Sequence, residues 1–376
     1  MLKVIVIILL STVLFIGFSA SVVDAIYGGG DVFPDRTTAP TIDSAELIKV
    51  ADLDYPPGNI AVAPNGDIFF TFHPEARPPY NLAELVDGKA QPLKINNIDA
   101  LNLQTVLSMR IDQQNRLWLL DYADHGQGTP QLVAVDLTSR DIVHHHQFSS
   151  DIAPLGSHLN DFQVDPAGNK VYIADASILG LDSAIVVYDI PSQSARRLLE
   201  DHSSVSPDKF VPYVEGEKML IFGVFAVRPG VDSIALDRRN EWLYFAPVTD
   251  DQLHRIRVSD LNNQQLSEDD LASRVEAFGA KTMSDGITID NENRIYLSDI
   301  EHSAIVRMNS RGELTTLIKD KKLRWPDGFS FGPDNELYVT ASALQYVIAK
   351  PASYIQENGP YQIFKLKTDT SAIAGH

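Results

Sequence analysis

The strongest constraint on this chain is a unit that recurs six times: a short polar or acidic pair, an apolar-alternating stretch, a polar turn and a second apolar-alternating stretch. The copies read GNIAVAPNGDIFFTFH from Gly58, LSMRIDQQNRLWLLDY from Leu107, NDFQVDPAGNKVYIADA from Asn160, DSIALDRRNEWLYFAPV from Asp232, DGITIDNENRIYLSDI from Asp285 and DGFSFGPDNELYVTAS from Asp327. Each alternates at a period of two and turns through Asn, Gly or Asp, which is the pattern of an antiparallel hairpin.

Most copies are followed by a third strand: QLVAVDL (Gln131–Leu137), AIVVYDI (Ala184–Ile190), QLHRIRV (Gln252–Val258) and AIVRMNS (Ala304–Ser310). A fourth follows, as in ELTTLIK (Glu313–Lys319). Four-stranded units repeating every ~40–50 residues are the blades of a propeller, whose radial packing hides most sheet edges. The sequence therefore predicts an all-β, six-bladed β-propeller. The long interval between Asn160 and Asp232 places an insertion at Ser203 to Val224. The last unit gains a third strand at YQIFKLK (Tyr361–Lys367) and then lacks a fourth, which Glu46–Leu53 is expected to supply. On that reading residues 46–370 are one domain closed by an N-terminal strand.

Ahead of it, Lys3 precedes an apolar run from Val4 to Val23, and Val23-Asp24-Ala25 suits cleavage after Ala25. Residues 1–25 read as a secretory signal, with an uncleaved membrane anchor as the alternative, and residues 26–45 as a flexible tether. An exported protein, extracellular or periplasmic, is the expectation. The 50 acidic residues against 31 Lys and Arg, a net charge of −19, exclude phosphate-backbone binding as a main task. With no cysteine, disulfides and thiolate chemistry are also excluded, so His and carboxylates must carry any reaction. The partner expected is a small-molecule ligand or substrate bound by a monomer, with no nucleic acid and no membrane unless the anchor is retained.

Aligning the units puts Gly58, Leu107, Asn160, Asp232, Asp285 and Asp327 at one position, just before the innermost strand. In a propeller this position faces the axis at one channel mouth, so Asn160, Asp232, Asp285 and Asp327 converge as candidate ligands of a divalent cation. Oxygen-only donors suit a hard ion, Ca²⁺ first. Alternatively, the Asp-Gly pairs at 285 and 327 serve tight turns. A second set, Asp121, Asp175 and Asp299 with His73 beside them, ends the second strand and either touches ligand or caps loop amides. For proton transfer the candidates are Asp285, Glu301 and His302. Gly328-Phe329-Ser330-Phe331-Gly332 matches a nucleophile pattern but leads into another strand, so it is rejected. His144-His145-His146 reads as a polar outer edge.

The segments LWLLDYADHGQGTPQLVAVDL (Leu117–Leu137), LNDFQVD (Leu159–Asp165), GVDSIALD (Gly230–Asp237), MSDGITID (Met283–Asp290) and LRWPDGFSFGPDNELYVTAS (Leu323–Ser342) resemble the yellow/major royal jelly protein family. The resemblance runs from about Leu101 to Leu366. It implies a secreted propeller and, from members linked to dopachrome conversion, an isomerase or tautomerase acting on a small polar or aromatic molecule. It equally allows a non-catalytic binder of small amines, which an acidic cavity suits. The chain departs from the family's insect members in lacking their cysteines. A more distant resemblance to the senescence-marker/gluconolactonase propellers implies a metal held by Glu, Asn and Asp, and hence lactone hydrolysis. Asn160 and Asp285 match that set, but Gly58 stands in place of the Glu.

Overall fold

A computed structural model describes residues 28–178 and 182–373. The predicted signal or anchor at residues 1–25 lies outside them. Six four-stranded antiparallel sheets form the blades of a β-propeller. Their innermost strands are Pro57–Val62, Val106–Ile111, Leu159–Val164, Val231–Leu236, Ile287–Ile289 and Pro326–Phe331, which open blades 1 to 6 in order. The third strands fall at Gln131–Asp136, Ala184–Asp189, Gln252–Arg257 and Ala304–Met308. In blade 6, Ile48–Leu53 pairs antiparallel with Tyr361–Lys367 and forms the outer strand.

Period-two alternation explains why the blades pack in a ring. Leu117 and Leu119 join an apolar cluster with Ala61 and Phe69 of blade 1. Trp118 and Leu120, on the opposite face of the same strand, join Phe162 and Ile173 of blade 3. Among the described residues an apolar cluster lies between each pair of neighbouring blades, so every sheet is buried on both faces.

The hairpin turns follow one design in four blades. Asp112, Asp165, Asp237 and Asp290 each accept two backbone N–H groups of the following turn, for example Gln114 and Arg116 at 2.9 and 3.0 Å on Asp112. These aspartates are consumed locally, which is the behaviour of Asx-type turns.

One expectation changes. Residues 28–45 are not a free tether. Asp31 N–H donates to the Lys209 carbonyl, Phe33 is buried with its ring 4.9 Å from Phe210, and Thr41 and Ile42 donate to the carbonyls of Thr316 and Leu317. A segment rich in Gly, Pro and Thr reads as a linker from composition, but here its backbone groups are satisfied against the propeller. The insertion between Leu198 and Val231 contains two small hairpins, Tyr213–Val214 with Glu217–Lys218 and Leu220–Ile221 with Phe225–Ala226. No helix among the described residues is long and apolar enough to cross a membrane.

Candidate functional site

The aligned position is a β-bulge. In blade 1, Pro57 pairs with Phe72 and Ile60 with Phe70, so Gly58 and Asn59 together face Thr71. The same shift occurs at Leu107, at Asn160 and Asp161, at Asp232, and at Asp327 and Gly328. In blade 5, Ile300 N–H bonds to Met283 and Ser298 N–H to Gly286, so Ser284 and Asp285 oppose Asp299 alone. An extra residue bends the strand and re-aims its side chains, which is how six equivalent residues are turned to one mouth.

In blades 1, 5 and 6 a side-chain hydroxyl on the second strand completes the bulge. Ser298 Oγ accepts the N–H of Asp285 and of Gly286 at 2.9 and 3.1 Å. Thr340 Oγ1 accepts Gly328 N–H at 2.9 Å and donates to the Gly58 carbonyl of blade 1 at 2.7 Å. Thr71 accepts Asn59 N–H and donates to the Leu107 carbonyl of blade 2. The turn interpretation of the Asp-Gly pairs is therefore corrected: both lie on the inner face of a blade. A Cβ on Gly286 would sit 1.8 Å from the Asp327 carbonyl oxygen, and one on Gly328 2.9 Å from Asn59 Cα, so glycine is required by close backbone approach.

The mouth opens into a cavity of about 620 Å³ lined by Asn59, Asn160, Asp161, Asp232, Asp285 and Asp327 at its floor. Asn160 donates to Asp232. Trp325 Nε1 donates to Asp285 Oδ2, and Ser342 Oγ to Asp327 Oδ2 at 2.9 Å. Burial drives the pKa of Asp232, Asp285 and Asp327 upward; repulsion from Asp285 and Asp161 adds to it at Asp232 and Asp327, while at Asp285 the Trp325 hydrogen bond opposes it and Asp161 adds to it, leaving Asp285 pushed up to about 6. Beneath them Arg110, buried, donates to Asn59 at 2.8 Å and pairs with Asp161 at 3.5 Å, while Asn59 donates to Asp161 at 2.7 Å. Burial raises Asp161 too, although Arg110 opposes this.

The same cavity is lined by His73, His125, His158 and Glu75. His158 stacks on Tyr122 with ring centroids 4.2 Å apart, and neither of its ring nitrogens has a hydrogen-bond partner among the described residues. His125 Nε2 meets Glu75 at 3.3 Å, a contact that depresses the Glu75 carboxyl to about 2. Burial lowers His73 to about 4 and His158 well below the ordinary range, so both are neutral at pH 7.

The second predicted set separates. His73 lines the cavity. Asp121 instead accepts the backbone N–H groups of Gln104, Thr105 and Ala123, and Asp175 those of His158 and Ser177 together with Arg197 at 2.6 Å. Asp299 accepts His302 N–H and faces its ring. These three carboxylates are loop anchors outside the cavity lining. Glu301 accepts Tyr213 N–H at 2.7 Å, tying down the insertion, and burial raises its carboxyl to about 7. His302, raised mainly by its bond to Asp299, also faces Asp35 of the N-terminal segment at 3.5 Å. Neither lines the cavity. Ser330 is buried as acceptor of Val62 N–H, and His144 and His145 bond to Tyr188 and Gln131.

The residues that repeat reading missed are Asn59, Ser108 and Asp161, one place beyond the aligned position, and His158, His125, Glu75 and Trp325, which come from loops. The first group carried a signal, being polar in the same register. The second carried none, because these loops do not repeat.

The fold and mouth define a six-bladed propeller with an acidic, cavity-forming channel end. Similar folds are regucalcin of Agrobacterium tumefaciens, described as a calcium-binding protein (TM-score 0.55, 15% identity, covering 90% of this chain and 99% of that one), and a gluconolactonase of Xanthomonas campestris (TM-score 0.53, 12% identity, 90% and 97%). The chain belongs to the major royal jelly protein family, whose model matches residues 104–372. Its relatives include the yellow-related salivary protein M10 of Phlebotomus duboscqi, 27% identical over 180 residues (40% of this chain, 45% of the relative), and major royal jelly protein 6 of Apis mellifera, 23% identical over 222 residues (56% and 48%). The matched regions thus span about half the length of these relatives.

Proposed function

We propose that this chain is an exported propeller that holds a divalent cation, Ca²⁺ by donor chemistry, on Asn160, Asp232, Asp285 and Asp327, and that it acts on a small polar or aromatic molecule in the cavity by isomerase-type proton transfer. The observation that carries this reading is the state of the three carboxylates. Asp285 and Asp327 each spend one oxygen on a protein donor, Asp232 accepts from Asn160, and all three sit where burial and a neighbouring carboxylate, Asp161 in each case, oppose their charge. An oxygen-only donor set of this kind fits a hard cation.

Once bound, such a cation supplies charge stabilisation to a ligand oxygen. The chain's own residues do the remaining work. Trp325 fixes the orientation of the Asp285 carboxylate, apolar walls including Leu107, Val248 and Leu344 exclude water, and the neutral His73 and His158 stand in the same cavity as groups able to accept a proton. The lactonase alternative is disfavoured at Gly58, which lacks the Glu of that ligand set and where a Cβ would lie 2.7 Å from Leu107 Cδ1 and 2.9 Å from Thr71 Oγ1, so that a Glu would have to displace both side chains. In the remaining alternative the same carboxylates receive a cationic amine without turnover.

Elemental analysis after mild dialysis, followed by Ca²⁺ titration of thermal stability, tests the cation. At a free concentration a hundredfold above Kd the stabilisation is about 2.7 kcal/mol, and Asp285→Asn is expected to remove most of it. A chain that retains no divalent ion and gains no stability from added Ca²⁺ or Mg²⁺ would refute the reading and leave amine binding to be measured by calorimetry.

A further inference from the structure

The cavity is polar at both ends, with opposite character. At the floor are the buried carboxylates. At the rim the lining includes Arg77 and Lys350, both exposed, on loops that follow the second strands of blades 1 and 6. Neither makes an ion pair among the described residues; Lys350 Nζ lies over the Tyr354 ring at 5.6 Å. The rim carboxylate, Glu75, is already taken up by His125. Between rim and floor the lining is apolar, with Ile178, Val227 and Ile348 joining those named above, and the exposed Phe222 stands at the entrance. Among the described residues, both ring nitrogens of His158 and Nδ1 of His125 are buried without partners, an unusual condition for polar atoms and one that a hydroxyl or carboxylate of a bound molecule, or water held with it, would relieve.

We propose that the cavity selects a bipolar ligand: an anionic oxygen head, carboxylate in the simplest case, held at the rim by Arg77 and Lys350, an apolar or aromatic middle, and an oxygen-bearing head at the acidic floor. The inference deepens the proposed function and rests on it for the floor alone. The overall charge of −19 repels an anion, so capture depends on these two local cations. Guanidinium and ammonium groups bind carboxylate through charge-assisted hydrogen bonds, about twice as strong as neutral ones.

Dihydrocaffeate and its methyl ester test the rim, since both carry the same catechol and ring and differ in the charge of the other head. In calorimetry on the full chain with Ca²⁺ present, the acid is expected to bind about tenfold or more tighter than the ester, the scale of one hydrogen bond to a charged group. Arg77→Gln combined with Lys350→Gln should bring the acid down to the ester's affinity and leave the ester unchanged; both side chains are exposed, so folding is not at risk. Equal affinities, a preference for the ester, no binding of either probe, or a double variant that weakens both equally each overturns the inference. Asp285→Asn separates the two ideas. If it lowers both affinities together, the floor is engaged; if it changes neither, the floor reading fails while the acid-to-ester ratio still decides the rim.

Discussion

Glu301 shows how a residue can look chemical in sequence and be structural in place. It follows Asp299 and Ile300 at a strand end, beside His302, and a carboxylate next to an imidazole suggests proton transfer. The strand carries it to the outside of the cavity, where it holds Tyr213 of the insertion. Its carboxyl is raised by burial from 4.5 to about 7, so it favours the protonated form in the folded state. Stability from this group is present below pH 4.5 and is lost as pH rises through 7. Glu301→Gln keeps an acceptor for Tyr213 without the charge, so thermal melts should show a variant more stable than the parent at pH 8 and equal to it at pH 4. Unchanged stability at both pH values, coupled with lost turnover, would return Glu301 to the catalytic role. By contrast, Asn160, Asp232, Asp285 and Asp327 were legible because the repeat fixed their register before any geometry was known. His158 and His125 were not legible, because the loops bearing them differ in length from blade to blade and a lone His has no periodic context.

At the scale of the element, the strands were legible because each shows its two faces to two neighbouring blades and must alternate to do so. The bulges were not, since one unpaired residue leaves no compositional trace. In blades 1, 5 and 6 what marks them is the hydroxyl opposite: Thr71, Ser298 and Thr340 look like ordinary β-formers, yet each closes a bulge, and Thr71 and Thr340 also tie it to the next blade. Thr340→Val keeps shape and β-propensity but leaves Gly328 N–H and the Gly58 carbonyl without this partner in a buried seam. The expected cost is on the order of 2 kcal/mol, read as a lower denaturation midpoint with unchanged slope. Because the same seam sets the position of Asp327, the variant should also weaken Ca²⁺ binding. A loss of stability with Ca²⁺ affinity intact would show that the hydroxyl serves the seam alone.

For the whole molecule, the decisive contact joins residues far apart in the chain, since blade 6 takes its outer strand from Ile48–Leu53 while its other three come from residues 326–367. Without that strand Tyr361–Lys367 becomes an open edge and the ring loses its clasp. Asp52 and Gln362 are direct partners in this pairing, and their side chains touch at 3.2 Å. Antiparallel partners have Cα atoms ~4.5–5.5 Å apart, within the range of about 4.4–6.8 Å that a disulfide spans. The sequence has no cysteine to compete, so within one molecule Asp52→Cys with Gln362→Cys can form only the intended bridge, and the monomer fraction is the one to be melted. Closing a loop of this length approaches roughly 5 kcal/mol in the chain-entropy limit, and even a fraction of that should raise the oxidised melting temperature measurably. Reduction should abolish the gain. If the oxidised and reduced forms melt together, opening of the clasp is not an early step in unfolding, and the stability of the ring resides in the apolar clusters between its blades.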